Sequence, residues 1–291
     1  MKLSNLSFLA VAVSMTILLG LGCNQKNDNK ALTLPSGGSS GPKPLQAAGL
    51  SPENLTRKIN LTVGNILLMK EKFSGKGATI AKAMGFGGNG IDREVVIKRF
   101  APGQLAELEW KSTYKDEKGA DQQKVGALVG ANLLSSREMY LPAVWPDGVK
   151  NAYGTGMLWL SSDVYENLTK SGLSTFDFGL LDKSIMEQAS TDTGLSAALV
   201  SLQDSVDKIS ARTDVALTKG ATTTSDWPLK VNGVDAKVKV YQAKNWYGEI
   251  TYLANQQNPL VLKVKMNELP DGSALNGLLD YEITELRDLQ E

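Results

Sequence analysis

Few side chains in this sequence could act as nucleophiles or metal ligands. Histidine is absent, and the single cysteine is Cys23. The absence of histidine excludes Ser-His-Asp and Cys-His catalytic groups and every metal site that needs an imidazole ligand. A single cysteine also excludes an internal disulfide. We therefore expect no metal, no cofactor and no catalytic residue of these kinds.

Two glutamates have the spacing of a catalytic pair. Glu107 and Glu109 alternate in a predicted strand, which places both carboxylates on one face, roughly 7 Å apart. Such a pair can cleave a glycosidic bond. Alternating glutamates are also common on the solvent face of an antiparallel strand, and no other residues indicate a sugar cleft. We interpret both side chains as solvated.

Three other motifs match the letters of catalytic or nucleotide-binding patterns but not their structural context. Residues 85–90 fit G-x-G-x-x-G, but a helix-like segment precedes them and a strand follows, which reverses the order of a dinucleotide site. Residues 112–115 and 205–208 fit S-x-x-K, and residues 170–172 are similar to the K-T-G motif of serine penicillin-binding enzymes. In that family the serine begins a helix, whereas these serines are predicted within a strand and within a helix.

The charges of the chain are balanced, with 31 basic and 31 acidic side chains. The sequence contains no block of five or six like charges. Binding to nucleic acid or to anionic lipid depends on a basic excess, so we expect neither a nucleic-acid partner nor an electrostatic membrane patch.

The N-terminus carries the most specific signal in the sequence. Lys2 precedes an apolar run over residues 6–19, which ends in Gly20-Leu21-Gly22-Cys23. A basic start, an apolar run and small residues before a polar segment are typical of an export signal peptide, so residues 1–22 are predicted to be removed. The alternative is an uncleaved membrane anchor, because residues 6–22 reach the lower limit of length for crossing a bilayer.

Leu21, Gly22 and Cys23 resemble the end of the lipobox of bacterial lipoproteins, whereas Gly20 stands where that motif usually has leucine. The resemblance implies cleavage between Gly22 and Cys23 by signal peptidase II and acylation of Cys23 with fatty acids such as palmitate. Asn24 follows in place of aspartate, which in Gram-negative lipoproteins implies sorting to the outer membrane. We expect a protein anchored there by lipid, on the periplasmic face rather than at the cell surface.

These features divide the chain into three predicted segments. Residues 1–22 form the signal peptide, and residues 23–49 form a polar linker that begins at the lipidated cysteine. The linker is rich in Asn, Lys, Gly, Ser and Pro, has little apolar area to bury and is predicted to be flexible. Residues 50–291 are of a size that suits a single domain with its own core.

The domain is predicted to be α+β, with a curved, predominantly antiparallel sheet of half-barrel shape covered by a few helices. Ser51-Pro52-Glu53 predicts a helix start, and the residues up to Phe73 fit helix and strand periods about equally, so we expect a short helix and then a strand. Residues 93–100 and 104–114 predict a hairpin whose inward face holds Ala106, Leu108 and Trp110.

Further strands and helices are predicted along the rest of the chain. Strands are expected within 124–134 and over 155–160, and helices from residue 162, with Asp163 and Glu166 at capping-box spacing, and over 195–209. The last 65 residues show the clearest pattern, with strands over 229–243, 246–254, 260–266 and 278–286. Their short connections favour an antiparallel meander, because parallel strands need a crossover.

An N-terminal helix, a curved antiparallel sheet and the segments Asn232-Gly233, Trp246-Tyr247-Gly248 and 258–263 are similar to LolA/LolB-like periplasmic carriers. The resemblance covers about the last 60 to 80 residues. It implies a carrier of an apolar ligand and assigns no site residue.

Five tryptophans are the remaining candidates for a binding site. Large amphipathic rings can line an apolar cavity, and Trp110, Trp159 and Trp246 are the candidates, although most tryptophans in strands belong to the core. We expect a non-enzymatic envelope lipoprotein that binds a lipid or other apolar ligand, or an envelope protein, in the periplasm. The alternatives are a structural or surface-exposed interaction lipoprotein without a cavity and, third, an enzyme that needs no histidine.

Overall fold

The computed structural model describes residues 42–73, 78, 82, 87, 90–116, 118–140, 145, 147–176, 216–219, 223–245, 248–267 and 280–291, with only the backbone given for 216–219. The predictions for the signal peptide, Cys23, most of the linker, the helix over 195–209 and Trp246 lie outside these residues.

The described residues contain two helices and twelve strands. The helices are α1 (Pro52–Lys58) and α2 (Ser162–Lys170). The strands are β1 Ile66–Lys72, β2 Gly90–Ala101, β3 Leu105–Lys115, β4 Asp121–Val129, β5 Gly148–Asn151, β6 Leu173–Thr175, β7 Ala216–Lys219, β8 Ser225–Val231, β9 Val234–Lys244, β10 Gly248–Leu253, β11 Val261–Met266 and β12 Asp280–Arg287. Neither of the two helices is long and apolar enough to span a membrane.

Both helices begin at a capping serine. The Ser51 side chain accepts a hydrogen bond from the backbone N–H of Asn54 at 3.3 Å, and Pro52 opens α1 as predicted. Helix α2 is capped by Ser161, whose side chain accepts from the N–H of Val164 at 3.4 Å. The capping box predicted at Asp163 and Glu166 is therefore wrong, because the N-cap of α2 is Ser161, whose side chain pairs with a free backbone N–H of the first turn.

Strands β8 to β12 form the predicted antiparallel meander and then close on themselves. Each strand pairs with the next along the chain, and β12 also pairs with β8 in parallel. Closure is possible because one edge of β12 is shared: Tyr281 and Glu282 face β11, whereas Glu285 and Leu286 face β8. The result is a closed five-stranded barrel in place of the predicted half-barrel.

The sheet continues beyond the barrel on both sides. The other edge of β12 carries β1, followed by β2, β3 and β4 in antiparallel order and by β5, which lies parallel to β4. On the other side, β9 pairs with β7 and β7 with β6. The β-rich α+β class is thus confirmed, as are the short helix followed by a strand in residues 52–73 and the hairpin of β2 and β3.

Two strand predictions are wrong for local backbone reasons. Residues 155–160 form only isolated bridges at Thr155 and Trp159, because Met157 takes a positive φ of 50° and breaks the extended chain. The single strand expected over 229–243 is a hairpin, with Asn232 and Gly233 at φ of 48° and 81° forming its turn. Asn-Gly is the commonest sequence for a tight hairpin turn of this kind.

Residues 42–49, which the sequence analysis places in the linker, lie against the domain. Leu45 donates its N–H to the carbonyl of Leu289 at 2.8 Å, and Pro44 forms a bridge with Gln290. Leu45 and Ala47 are both buried. The folded domain therefore includes residues 42–49, which lie beside residues 289–291 at its C-terminal end.

Candidate functional site

The tryptophans predicted to line a cavity lie in different surroundings. Trp110 is a buried residue of β3 that belongs to the lining of an open groove. Trp159 is buried against Phe100, with ring centroids 5.2 Å apart, and lines none of the three pockets described. Trp246 lies outside the described residues. The structure thus places one of the three at a surface pocket and one in the core.

The groove has a volume of about 770 Å³, the largest of the three described pockets, and is formed by β2, β3, β4, β5 and Asp147. Side chains alternate across these strands, so that Arg93, Val95 and Ile97 of β2 are buried while Glu94 and Val96 face the other way. Most of the lining side chains belong to this second, solvent-facing side of the sheet.

The pairing register arranges the lining side chains in rows across the strands. One row consists of Val96, Glu109, Ala127 and Val149. The adjacent row consists of Glu94, Lys111 and Val125. The surface therefore has an apolar part on β4 and β5 and a charged part on β2 and β3.

Exposed apolar side chains concentrate at the β5 end of the groove. Val149 is 75% exposed, Val125 59% and Tyr153, two residues after β5, 73%. Strand β5 stands last in the strand order, and in the described part of the chain β4 is the only strand that pairs with it. We name Val125, Val149 and Tyr153 the edge patch.

The two glutamates considered as a catalytic pair both lie on the solvent-facing side of β3, as predicted. Each has its own cation: Glu107 pairs with Arg99 at 3.3 Å, and Glu109 pairs with Lys98 at 3.0 Å. Both pairs are partly exposed, so they stabilise the fold little. Their arrangement is that of neutralised surface charges rather than of an acid and base.

A buried ion pair lies behind the groove, on the inner side of the same strands. Arg93 donates from Nε and Nη2 to the two carboxylate oxygens of Glu71, at 3.1 and 2.6 Å, and from Nη1 to Ser112 Oγ at 2.6 Å. The side chains of Arg93 and Glu71 are each 1% exposed. A bidentate pair of this geometry compensates the cost of burying both charges.

The guanidinium of Arg93 also contacts two tryptophan rings. Its Cζ atom lies 4.9 Å from the ring centroid of Trp110 and 4.2 Å from that of Trp145. The two rings meet edge to face, with centroids 5.8 Å apart at 78°. Since Trp110 also lines the groove, this buried cluster and the groove share a wall.

Gly126 lets the Trp110 ring lie close to the strand backbone. It pairs with Trp110 on β3 and with Gly148 on β5. A Cβ at Gly126 would lie 2.6 Å from the Trp110 ring and 2.8 Å from the Gly148 carbonyl oxygen. Only glycine fits between the ring and β5, so the packing of all three strands depends on this residue.

The other motifs of the sequence analysis lie in ordinary structural positions. Ser112 accepts the hydrogen bond from Arg93 and is buried within β3. Lys170 ends α2 and pairs with Glu166 at 2.5 Å. Gly90 begins β2, so a strand does follow the glycine-rich segment, most of which lies outside the described residues, as does Ser205.

The carboxylates with shifted pKa values do not form a cluster. The pKa of Asp116 is lowered mainly by the backbone N–H of Ala120, that of Glu166 by Lys170 and that of Glu285 by Arg287. These groups lie on a turn, a helix and a strand that are separate in the chain. No group of three or more acidic, histidine or cysteine side chains in the described residues could hold a metal ion.

Arg93, Glu71, Trp145 and strand β5 were not predicted from the sequence as parts of a site. A signal for the ion pair was present, because Arg93 alternates with Ile91 and Val95, and Glu71 alternates with Met69, all of them buried. Opposite charges at apolar positions of two strands predict a buried pair if the strands are neighbours. No comparable signal marked β5, which has only four residues.

The chain matches no protein-family model, no curated protein and no solved structure in comparisons with known proteins.

Proposed function

We propose that this chain is a lipid-anchored, non-enzymatic envelope protein that binds an extended segment of another envelope protein along the groove and the edge of β5. The observation that carries this proposal is the edge patch: Val125 and Val149 lie exposed in the lining of the largest described groove, and Tyr153 lies exposed two residues after the terminal strand β5.

An extended peptide fits the chemistry of this site. A terminal strand offers backbone N–H and C=O groups on its outer edge, and another chain can pair with them as an additional strand. Every second side chain of that added strand would then point toward the groove, where Val125, Ala127 and Val149 form the apolar surface. The charged row at Glu94 and Lys111 would select among polar side chains of the partner.

A small apolar ligand is the second candidate. The groove volume of about 770 Å³ lies within the range of small-molecule sites, and Trp110 is one of its lining residues. Small-molecule sites enclose most of their ligand, whereas this groove is open along its length. The open shape favours a partner that covers the groove from outside.

The anchor is tested at Cys23. We expect the mature protein, extracted from membranes with detergent, to begin at Cys23 and to carry acyl groups that shift the mass of its N-terminal peptide. Cys23→Ser should abolish the modification and leave the precursor unprocessed. A mature protein with an unmodified Cys23, or an intact N-terminus that starts at Met1, would contradict the lipoprotein assignment.

Partner binding is tested by thiol labelling, which this chain suits because its single cysteine would be blocked by lipid. A cysteine is placed at Val149, and a control cysteine is placed at Leu173, which is half-exposed on β6 at the opposite end of the strand order. Labelling of V149C should be at least about five-fold slower in native envelopes than in the purified protein, because a partner covers β5.

The control variant L173C should label at the same rate in both preparations. Equal rates for V149C in envelopes and in the purified protein would contradict a partner at β5. Lipid or another apolar molecule retained at one per purified protein would favour the small-ligand candidate.

A further inference from the structure

Strand β5 has little support from its neighbours. It is four residues long, and among the described strands it pairs with β4 alone. The side chain of Val149 lies at the surface, as does that of Asp147, the residue before β5. Its C-terminal side is held by the buried Ala152, which donates its N–H to the Val129 carbonyl at 2.8 Å, so the contacts before Gly148 decide how the other side is held.

The buried end of this segment is Trp145. Only Pro146 and Asp147 separate it from the first residue of β5. Trp145 is buried against Trp110 and Tyr140, with its ring nearest to the Arg93 guanidinium, at 4.2 Å. Its indole Nε1 meets no hydrogen-bond partner in the described residues, so the contacts that hold it are those of the ring.

We propose that Arg93 is the positioning residue of the binding edge: fixed by Glu71 and Ser112, its guanidinium holds the rings of Trp110 and Trp145 and thereby holds β5 in place to accept a partner. This inference rests on the proposed function for its consequence in binding, whereas its effect on β5 is independent of any partner.

The chemistry of arginine is specific to this role. A guanidinium is planar, so it can donate in its plane to Glu71 and Ser112 while its faces contact aromatic rings. A lysine at the same position would keep the positive charge beside Glu71 but would lose the bidentate geometry and the flat faces. Arg93→Lys therefore keeps the positive charge at this position and removes the contact of the guanidinium with the aromatic rings.

The experiment compares Arg93→Lys with Arg99→Lys in the full chain. Arg99 undergoes the same change, but its side chain is mostly exposed and pairs with Glu107. In R93K, amide hydrogen exchange at Lys150 and Ala152, whose N–H groups face β4, should be about ten-fold faster or more, while exchange in β9, β10 and β11 stays unchanged. R99K should match the native protein throughout.

A second variant, Trp145→Leu, tests the same inference in case R93K does not fold. It retains apolar bulk and removes the ring that Arg93 contacts, so it should accelerate exchange in β5 in the same way. Unchanged β5 exchange in both variants would overturn the inference, as would acceleration spread evenly over the whole barrel. If exchange in β5 accelerates while native envelopes show no protection at position 149, the positioning role stands and the proposed function fails.

Discussion

Two tyrosines in the barrel are almost fully buried but differ in what their hydroxyl groups meet. Tyr281 donates a hydrogen bond to the carbonyl oxygen of Val261 at 3.0 Å. The hydroxyl of Tyr252 has no hydrogen-bond partner in the described residues. A buried polar group without a partner loses its contact with water and gains nothing in return.

Replacing each tyrosine by phenylalanine should therefore change stability in opposite directions. Tyr252→Phe removes an unpaired hydroxyl and should raise the free energy of unfolding by about 1 kcal/mol, whereas Tyr281→Phe removes a hydrogen bond and should lower it by about 1 kcal/mol. Urea titrations of the two variants measure both changes. A loss of stability in Tyr252→Phe as large as in Tyr281→Phe would show that both hydroxyls are equally satisfied.

For single residues, the sequence predicted which face of a strand a side chain occupies better than it predicted which other residues that side chain contacts. The alternation of Ala106, Leu108 and Trp110 predicted correctly which side of β3 is buried. It could not predict that Arg93 would meet Trp145, because that contact depends on where a segment about fifty residues further along the chain returns to the sheet. The face that a residue occupies in a strand follows from its neighbours in the sequence, whereas its contacts across the core depend on distant parts of the chain.

At the scale of elements, the two capping serines form a natural comparison. Ser51 is exposed and caps α1 through its side chain alone. Ser161 is buried, caps α2 and also donates to the carbonyl of Ser136 at 2.5 Å. Its loss leaves two buried backbone groups without a partner.

Ser161→Ala should lower the free energy of unfolding by about 2 kcal/mol, and Ser51→Ala by about 0.5 to 1 kcal/mol. The reason for the difference is the second hydrogen bond of Ser161 and its burial. Thermal or urea unfolding of the paired variants gives the comparison. Equal losses at the two positions would mean that the bond to Ser136 contributes nothing.

One of the two hairpins with a strong local turn signal was predicted, and the element set by a single backbone angle was not. The turn at residues 101–103 predicted the hairpin of β2 and β3, which the structure contains. Residues 155–160 carry a strand-like composition, but the left-handed Met157 turns the chain there. Methionine gives no warning of such a conformation, whereas the overlooked Asn232-Gly233 does.

At the scale of the whole molecule, the meander could be predicted and its closure could not. Consecutive pairing of β8 to β12 follows from short connections, whereas the parallel contact of Lys230 and Val231 with Glu285 and Leu286 joins residues more than fifty positions apart. The alternation of apolar and polar residues along a strand gives no indication of such a contact. The site has the same origin, because the groove exists only where β2, β3, β4 and β5 lie side by side.

The buried tyrosines predict how the molecule as a whole responds to alkali. Burial, with Tyr241 nearby, raises the pKa of Tyr165 to about 12, and burial also raises the pKa values of Tyr252 and Tyr281 from the ordinary 10.0. In the unfolded chain these groups ionise near pH 10, while in the folded protein they stay neutral. The contribution of these tyrosines to stability should therefore be constant below pH 10 and should fall as the pH rises toward 12.

Urea midpoints at pH 8, 10 and 11, with absorbance at 295 nm to follow tyrosinate, measure this dependence. The folded protein should show late ionisation of a fraction of its eight tyrosines. If all tyrosines ionise near pH 10 while the protein remains folded, the burial of this cluster is contradicted.

We propose that the lipid-anchored chain binds an extended protein segment at β5, and photo-crosslinking in living cells would capture such a partner in place. A photoreactive amino acid replaces Val149 in the full-length protein, with Leu173 as the control position. Position 149 should give a discrete protein adduct that is absent from position 173. An empty lane at position 149, an adduct with lipid only, or the same pattern of adducts at both positions would contradict it.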